Sequence, residues 1–546
     1  MGINVTPEKT TEYKKALKAF HKVSDRHVLV LEAEMSHSDK CHIFHYADLQ
    51  RKAGNELVGI MRTRYEQLIR TKRYRKLLAL YGKYTSNGDK KKAKQIATQM
   101  NTMQEQYDVT WDFCRKAMIP IGKKYGLGSV TALTRAEDIW SGLEKCLFKD
   151  GKTIHFIKRG ELPSIRAKQI KSCIILSTKQ DSLWFKFNDI SFTVLVKDAF
   201  EKQEVEAVLS YLQDPETNDR KAVHAYLTAG VISDTYRPCY ASLVCKKIRG
   251  KLRVYVHLTI EGKAIPKQKK DGTARHSFGT GIVGCDIGTQ TIAYTSDTEV
   301  GLENLAERGS SIFKSERQER RLKRAMDRSR RANNPQNYNE DGTIKKGRKR
   351  WRNSKRYLKL REKYRELCRI NAENRRYAIQ EEINHLRTLG NIFVTEPKNA
   401  KALAKRTKKT AKNAKGKYKR KKRFGRSIQN RCPGYFQKQA ERRFTSTHGS
   451  YIEVPKDYRA SQYDHIADAY IKKKLSNRMY QLTDGTLVQR DWYSSYLLYC
   501  YDLATQQIDK EKCNSMFNTH YQKEKALIQD IKKNKIKILN SGIKVS

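Results

Sequence analysis

Three acidic residues occupy positions from which they could act together: Asp286 in "GIVGCDIGTQTIAY", Glu396 in "NIFVTEP" and Asp491 in "VQRDWYSSYLLYCYD". Each stands at the end or the beginning of an apolar element, and each is flanked by basic sequence. A single buried acid is costly, and two together repel and push one carboxyl upward. Divalent cations relieve that repulsion. Magnesium accepts carboxylate oxygens together with waters and substrate phosphates. Two such ions about 3.5–4 Å apart activate a water and stabilise the leaving oxygen of an in-line displacement at phosphorus. The chemistry expected of Asp286, Glu396 and Asp491 as catalytic, magnesium-binding residues is therefore phosphodiester hydrolysis. Taken singly, each acid has a simpler reading as a surface ion pair or helix cap, and Asp491 could cap its own helix.

The elements that must position these acids can be read from periodicity. Residues 281–294 read as strand, tight turn, strand, with Asp286 at the turn. Glu396 ends a short apolar strand just before Pro397, and Asp491 opens a helix carrying Leu497, Leu498 and Tyr501 on one side. Between the first two acids lie two long basic helices, about 311–333 and 353–388. After Glu396 the run 401–430 holds fourteen Lys/Arg and no Asp or Glu, a block that repels itself until a polyanion binds. A helix near 434–445 then leads to the strand "SYIEVP".

Upstream the pattern changes twice. "HVLVLEAE", 27–34, predicts a strand, and 44–124 turns helical, with Leu57, Ile60, Met61, Tyr65, Leu68 and Ile69 at helical spacing. From about 150 to 275 short strands return: "KTIHFIKR", "SCIILS", "LWFKF", "SFTVLVK" and "ASLVCKKIRGKLRVYVHLTI", interrupted by one helix near 200–212. Such runs suggest a small barrel or curled sheet. The basic linker 269–281 marks a domain boundary.

Composition narrows the partner. The 546 residues allow two to four domains, and 112 Lys+Arg against 58 Asp+Glu give a net charge of +54. An excess of that size calls for a polyanion, since each neutralised phosphate releases counterions. No stretch has the roughly 20 apolar residues of a membrane span, and "MGINVTPEKTTEYKKALKAF" has no apolar signal core. The eleven cysteines form no CxxC pair, which reads as reduced thiols in a cytosolic protein without a disulfide framework or a cysteine zinc site. A sugar kinase or actin-like ATPase also opens on a strand–Asp–x–Gly–Thr turn. It needs a Gly-Gly adenosine loop, however, and the chain contains no Gly-Gly dipeptide.

The chain resembles the TnpB family of transposon-encoded RNA-guided nucleases and the compact type V CRISPR effectors derived from them. "GIVGCDIGTQTIAY" is similar to that family's first RuvC motif, "NIFVTEP" to the second and "QRDWYSSYLL" to the third. The resemblance implies an α+β multidomain fold. It would comprise an RNase H-like (RuvC) nuclease domain and a β-barrel wedge domain with an inserted helical recognition lobe. The expected boundaries are 1–40 and 126–277 for the wedge, 41–125 for the lobe and 278–546 for the nuclease domain. The implied function is an RNA-guided DNA endonuclease: a bound guide RNA pairs with double-stranded DNA next to a short flanking motif, and a two-metal site cuts it. Alternatives are a non-cleaving RNA-guided repressor and an RNase H-like transposase.

In that scheme Asp286 and Asp491 ligate magnesium, Glu396 ligates metal and orients water, and Arg490 lies against a phosphate. Lys405, Arg406, Lys408, Lys409, Lys419, Arg420, Lys421, Lys422 and Arg423 contact nucleic acid from a lid or guide-binding segment, 397–430. Departures from the family are also visible. Its zinc ribbon of two CxxC pairs falls in the ribbon-like insertion 461–487, where Gln481 and Asp484 stand at the second pair's positions and no Cys occurs. No zinc is expected, the lobe being held by packing, with His465 in a polar loop. Tyr493 replaces the Asn common two residues after the last acid. The expected setting is a prokaryotic cytoplasm, nucleoid-associated and away from membranes, with a monomer favoured.

Overall fold

The computed structural model describes residues 11–545 apart from 149, 150, 152, 270, 277, 310, 405–424, 446–448, 473, 475 and 476. The chain divides into two compact units, Met1–Asp271 and Gly272–Ser546.

The first unit is built on an eight-stranded sheet whose paired strands all run antiparallel. Its central strand, Arg26–Glu34, lies between Lys251–Glu261 and Ile190–Leu195. Inward residues alternate along it, as a half-buried strand requires: Leu29, Leu31 and Ala33 enter a core with Phe185, Phe192, Val256 and Leu258. Strand Ile174–Lys179 also packs against Arg237–Ile248, so the sheet curls towards a barrel. Five helices from His37–Arg70 to Ser129–Phe148 are inserted after the central strand. They form their own core around Leu57, Met61, Tyr74, Met118 and Leu143. This helical insertion runs on to Phe148, beyond residue 125, because Ile139, Leu143 and Leu147 complete that core. The described residues of "KTIHFIKR", 153–159, form no strand: the backbone of Ile157 is held by the Asn55 side chain, at 2.8 Å to its N–H and 2.9 Å to its carbonyl.

The second unit holds the acids. Its elements are β1 (Ile282–Ile287), β2 (Thr291–Thr295), β3 (Val300–Asn304), α1 (Ile312–Ala332), α2 (Lys355–Leu389), β4 (Ile392–Thr395), α3 (Ala400–Ala404), α4 (Gly425–Arg431), α5 (Pro433–Thr445), β5 (Ser450–Glu453), β6 (Tyr463–Asp464), β7 (Ala469–Tyr470), β8 (Met479–Gln481), β9 (Leu487–Gln489), α6 (Arg490–Tyr499) and α7 (Lys510–Lys533). Five strands form one sheet in the order β3-β2-β1-β4-β5. The first three are antiparallel neighbours; β4 runs parallel to both β1 and β5.

Each face of this sheet is covered. Residues Val283, Cys285 and Ile287 of β1 and Phe393 of β4 meet α2 and α5 through Ile379, Ile383, Leu386, Phe436 and Phe444. Val394, on the opposite face, joins the core of α6 and α7. Helix α6 is buried on every side, by Trp492, Tyr496 and Leu497 among others, so its apolar residues do not form the single stripe that the sequence suggests.

Candidate active site

Strand register places two of the acids. In the parallel pair, Thr395 of β4 stands opposite Cys285 of β1. The next residue on each strand is an acid, so Asp286 and Glu396 leave neighbouring strands side by side, at a spacing of about 4.8 Å between strands. Alternation fixes the face: Asp286 follows Gly284 and Glu396 follows Val394, and both of those residues face α6. The Thr395 hydroxyl donates to the Cys285 carbonyl at 2.8 Å and pins the register at the last pair before the acids.

Helix α6 brings in the third acid. Gly284 makes the approach possible: a Cβ there would lie 2.2 Å from the Tyr499 nitrogen and 2.3 Å from the Ser495 oxygen. Across the same contact, the Thr295 and Ser495 hydroxyls meet at 2.9 Å. The helix is capped by Gln489, whose side chain accepts from the Trp492 N–H at 2.7 Å. Asp491 is therefore not the cap but a first-turn residue, free to turn its carboxylate towards the strand ends. It is 7% exposed. The Gln489 N–H in turn donates to the buried Glu524 carboxylate of α7 at 2.8 Å.

All three acids share one electrostatic field. Burial pushes Glu396 above the usual carboxylate range, and the charge of Asp286 adds to it; Lys398, the Ala460 N–H and Arg490 only partly offset the rise. Asp491 is raised in the same way, by burial and then Asp286, against Arg490, Arg478 and Lys398. Direct cationic contact is uneven. The Lys398 ammonium donates to Asp286 Oδ1 and to the Ile287 carbonyl, each at 2.5 Å. Arg478 and Arg490 stand 3.5 and 3.6 Å from Asp491 Oδ1. Among the described residues, no group of three or more His, Cys, Asp or Glu side chains is drawn tightly enough together to hold a metal ion.

Of the residues singled out from the sequence, Asp286, Glu396, Asp491 and Arg490 come together here. Lys405, Arg406, Lys408, Lys409, Lys419, Arg420, Lys421, Lys422 and Arg423 lie outside the described residues. The helices flanking them, α3 and α4, pack against each other, and Ser427 of α4 accepts from Gln290 in the turn after Asp286, at 3.0 Å. The sequence reading missed Lys398 and Arg478. Lys398 had a signal, a lysine two residues beyond a strand-ending acid, but it was lost beside the longer basic run.

The ribbon-like insertion folds as two small hairpins, β6–β7 and β8–β9. A buried carboxylate ties them, besides packing. Asp464 Oδ1 accepts from the Ile466 N–H at 3.1 Å, and its Oδ2 accepts from the N–H and hydroxyl of Thr483 at 3.1 and 3.0 Å. His465 is buried rather than in a polar loop, because its backbone N–H donates to the Tyr493 hydroxyl at 3.1 Å and its Nδ1 meets the same oxygen at 2.7 Å. Tyr493 thus serves the insertion.

No family model matches the chain. No curated protein matches it significantly in sequence. Among solved structures it is similar to a Cas12f1–sgRNA–target DNA complex, at 10% identity over 86% of this chain and 98% of that one, with a TM-score of 0.40. A CRISPR-Cas12f ternary complex matches at 13% identity, covering 84% and 82%, with a TM-score of 0.23. A Cas12i1 R-loop complex before target DNA cleavage matches at 9%, covering 78% of this chain and 58% of that one, again at 0.23. At such identities and TM-scores these are distant likenesses, so the site's chemistry stands on its own residues. No helix among the described residues is long and apolar enough to cross a membrane.

Proposed function

We propose that the chain is an RNA-guided DNA endonuclease of the RNase H-like type, cutting phosphodiester bonds with magnesium held by Asp286, Glu396 and Asp491. The observation that carries this is the convergence of three acids, far apart along the chain, at the carboxyl ends of adjacent parallel strands and the first turn of the helix above them. The strand order β3-β2-β1-β4-β5, antiparallel and then parallel, supports this reading by setting the ends of β1 and β4 side by side beneath α6. Guidance by RNA is supported by the three motifs in their order, by the helical insertion within an antiparallel sheet upstream, and by the net charge of +54.

The donors are right in kind for a hard cation: carboxylate oxygens from three elements, with the Ile287 carbonyl beside them. Bound magnesium would supply an activated water and stabilisation of the leaving oxygen. The chain's own part is to hold and orient. Glu396, fixed by the Ala460 N–H, aligns the attacking water. Arg490 and Arg478, already beside Asp491, meet the phosphate charge.

The test is cleavage of a guide-matched plasmid by protein purified with its RNA, in magnesium and across a library of flanking motifs. Cutting that disappears in Asp286→Ala is the expected result. Binding without cutting at any flanking motif turns the assignment to a repressor, and protein that carries no structured RNA turns it to a transposase.

A further inference from the structure

Lys398 makes contacts of an unusual kind. Its ammonium donates to a carboxylate oxygen of Asp286 and to the Ile287 carbonyl, oxygen types that a hard metal ion also takes. It also faces the charges of Glu396 and Asp491. The chain delivers it there by a short route: β4 ends at Thr395, Glu396 follows, Pro397 fixes the backbone, and Lys398 comes next. Arg478 and Arg490 are directed at Asp491 instead, whereas Lys398 reaches across from the end of β4 to Asp286 on the neighbouring strand β1.

Building on the nuclease assignment, we propose that Lys398 is an internal counter-cation: it neutralises the acid cluster before metal arrives and must be displaced for metal to bind at Asp286. A fixed positive charge a few ångströms from a carboxylate competes with any second cation for it, because the two repel each other at short range. Lys398 is thus a positioning residue. It keeps three acids folded close together without metal, and it sets the metal concentration at which the site fills.

Manganese titration of the full chain, followed by the EPR signal of free Mn²⁺, tests this. Lys398→Met should tighten the Asp286-dependent site roughly tenfold, while Lys398→Arg, which keeps the charge, stays near the original affinity. Metal-free thermal unfolding gives a second readout. Lys398→Met should lower Tm by a few degrees, and adding Asp286→Asn should recover it, because the charge left unpaired is then gone. Unchanged or weaker Mn²⁺ binding in Lys398→Met, with Asp286→Ala still abolishing it, overturns the counter-cation role and leaves the nuclease assignment standing. If no variant, nor the unmodified chain, shows Asp286-dependent binding, the nuclease assignment falls and the inference with it. Should Lys398→Met fail to fold at all without metal, Lys398→Gln is titrated in its place under the same criteria.

Discussion

In the eight-stranded sheet, buried Glu32 lies between Lys197, at 2.5 Å, and Arg253. Burial would raise its carboxyl, but the two cations outweigh burial and hold it below the usual range. Glu204 is likewise closed by His27 at 2.9 Å and by the Ile265 N–H at 2.8 Å. At the ends of β1 and β4 the balance is reversed: Glu396 and Asp491 stay raised although one lysine and two arginines stand nearby. In one region paired cations outweigh burial; in the other burial and a neighbouring acid outweigh the cations. A pocket of acids perturbed by burial and by one another is where function is sought.

The sharpest way to break the comparison is Asp286→Ala. Cleavage in magnesium should fall by at least about 10³-fold with far-ultraviolet circular dichroism unchanged. In the unmodified chain, at magnesium well below saturation, the acid limb of the pH–rate profile should lie above the ordinary carboxylate range, because Glu396 and Asp491 are raised without metal and must be ionised to hold it. An acid limb near pH 4 would contradict the shared field.

A second way uses Glu524, which burial raises to about 7 while it accepts from the Gln489 N–H just before Asp491. A carboxyl raised in the folded state favours folding when protonated, so this contribution is lost as pH climbs from about 4.5 towards 7. Glu524→Gln keeps an acceptor and removes the charge. It should raise stability at pH 8 by on the order of 3 kcal/mol and change little near pH 4.5, measured by urea unfolding at both values.

In the other region, Glu32→Gln leaves Lys197 and Arg253 without their carboxylate and should cost about 2 kcal/mol. Added magnesium should not alter that loss in thermal unfolding, since this acid already has its cations. The smallest effect belongs to the insertion. Asp464→Asn replaces an acceptor of the Thr483 pair by a donor and should cost about 1–2 kcal/mol, and zinc-selective chelation should leave the Tm of the unmodified chain where it was.

Much of this arrangement was legible in the residues. Apolar runs ending in Asp286 and Glu396 announced strands, and the run after Asp491 announced a helix, because period-two and helical patterns survive in buried elements. Three things were not legible. Parallel register, which sets Asp286 beside Glu396, depends on pairing across more than a hundred residues. The roles of Lys398 and Gly284 depend on distances that no pattern encodes; a single lysine in a basic chain carries no signal. "KTIHFIKR" has strand composition, yet an Asn55 side chain holds it, and composition alone cannot tell a strand partner from an amide.

The most direct measurement is a crystal or cryo-EM structure of the chain with manganese, the ions located by anomalous scattering or density. Two ions about 3.5–4 Å apart, held by Asp286, Glu396 and Asp491 with Lys398 moved off Asp286, are the predicted result. A saturating manganese soak that leaves Lys398 on Asp286, with no ion between the three carboxylates, would contradict it.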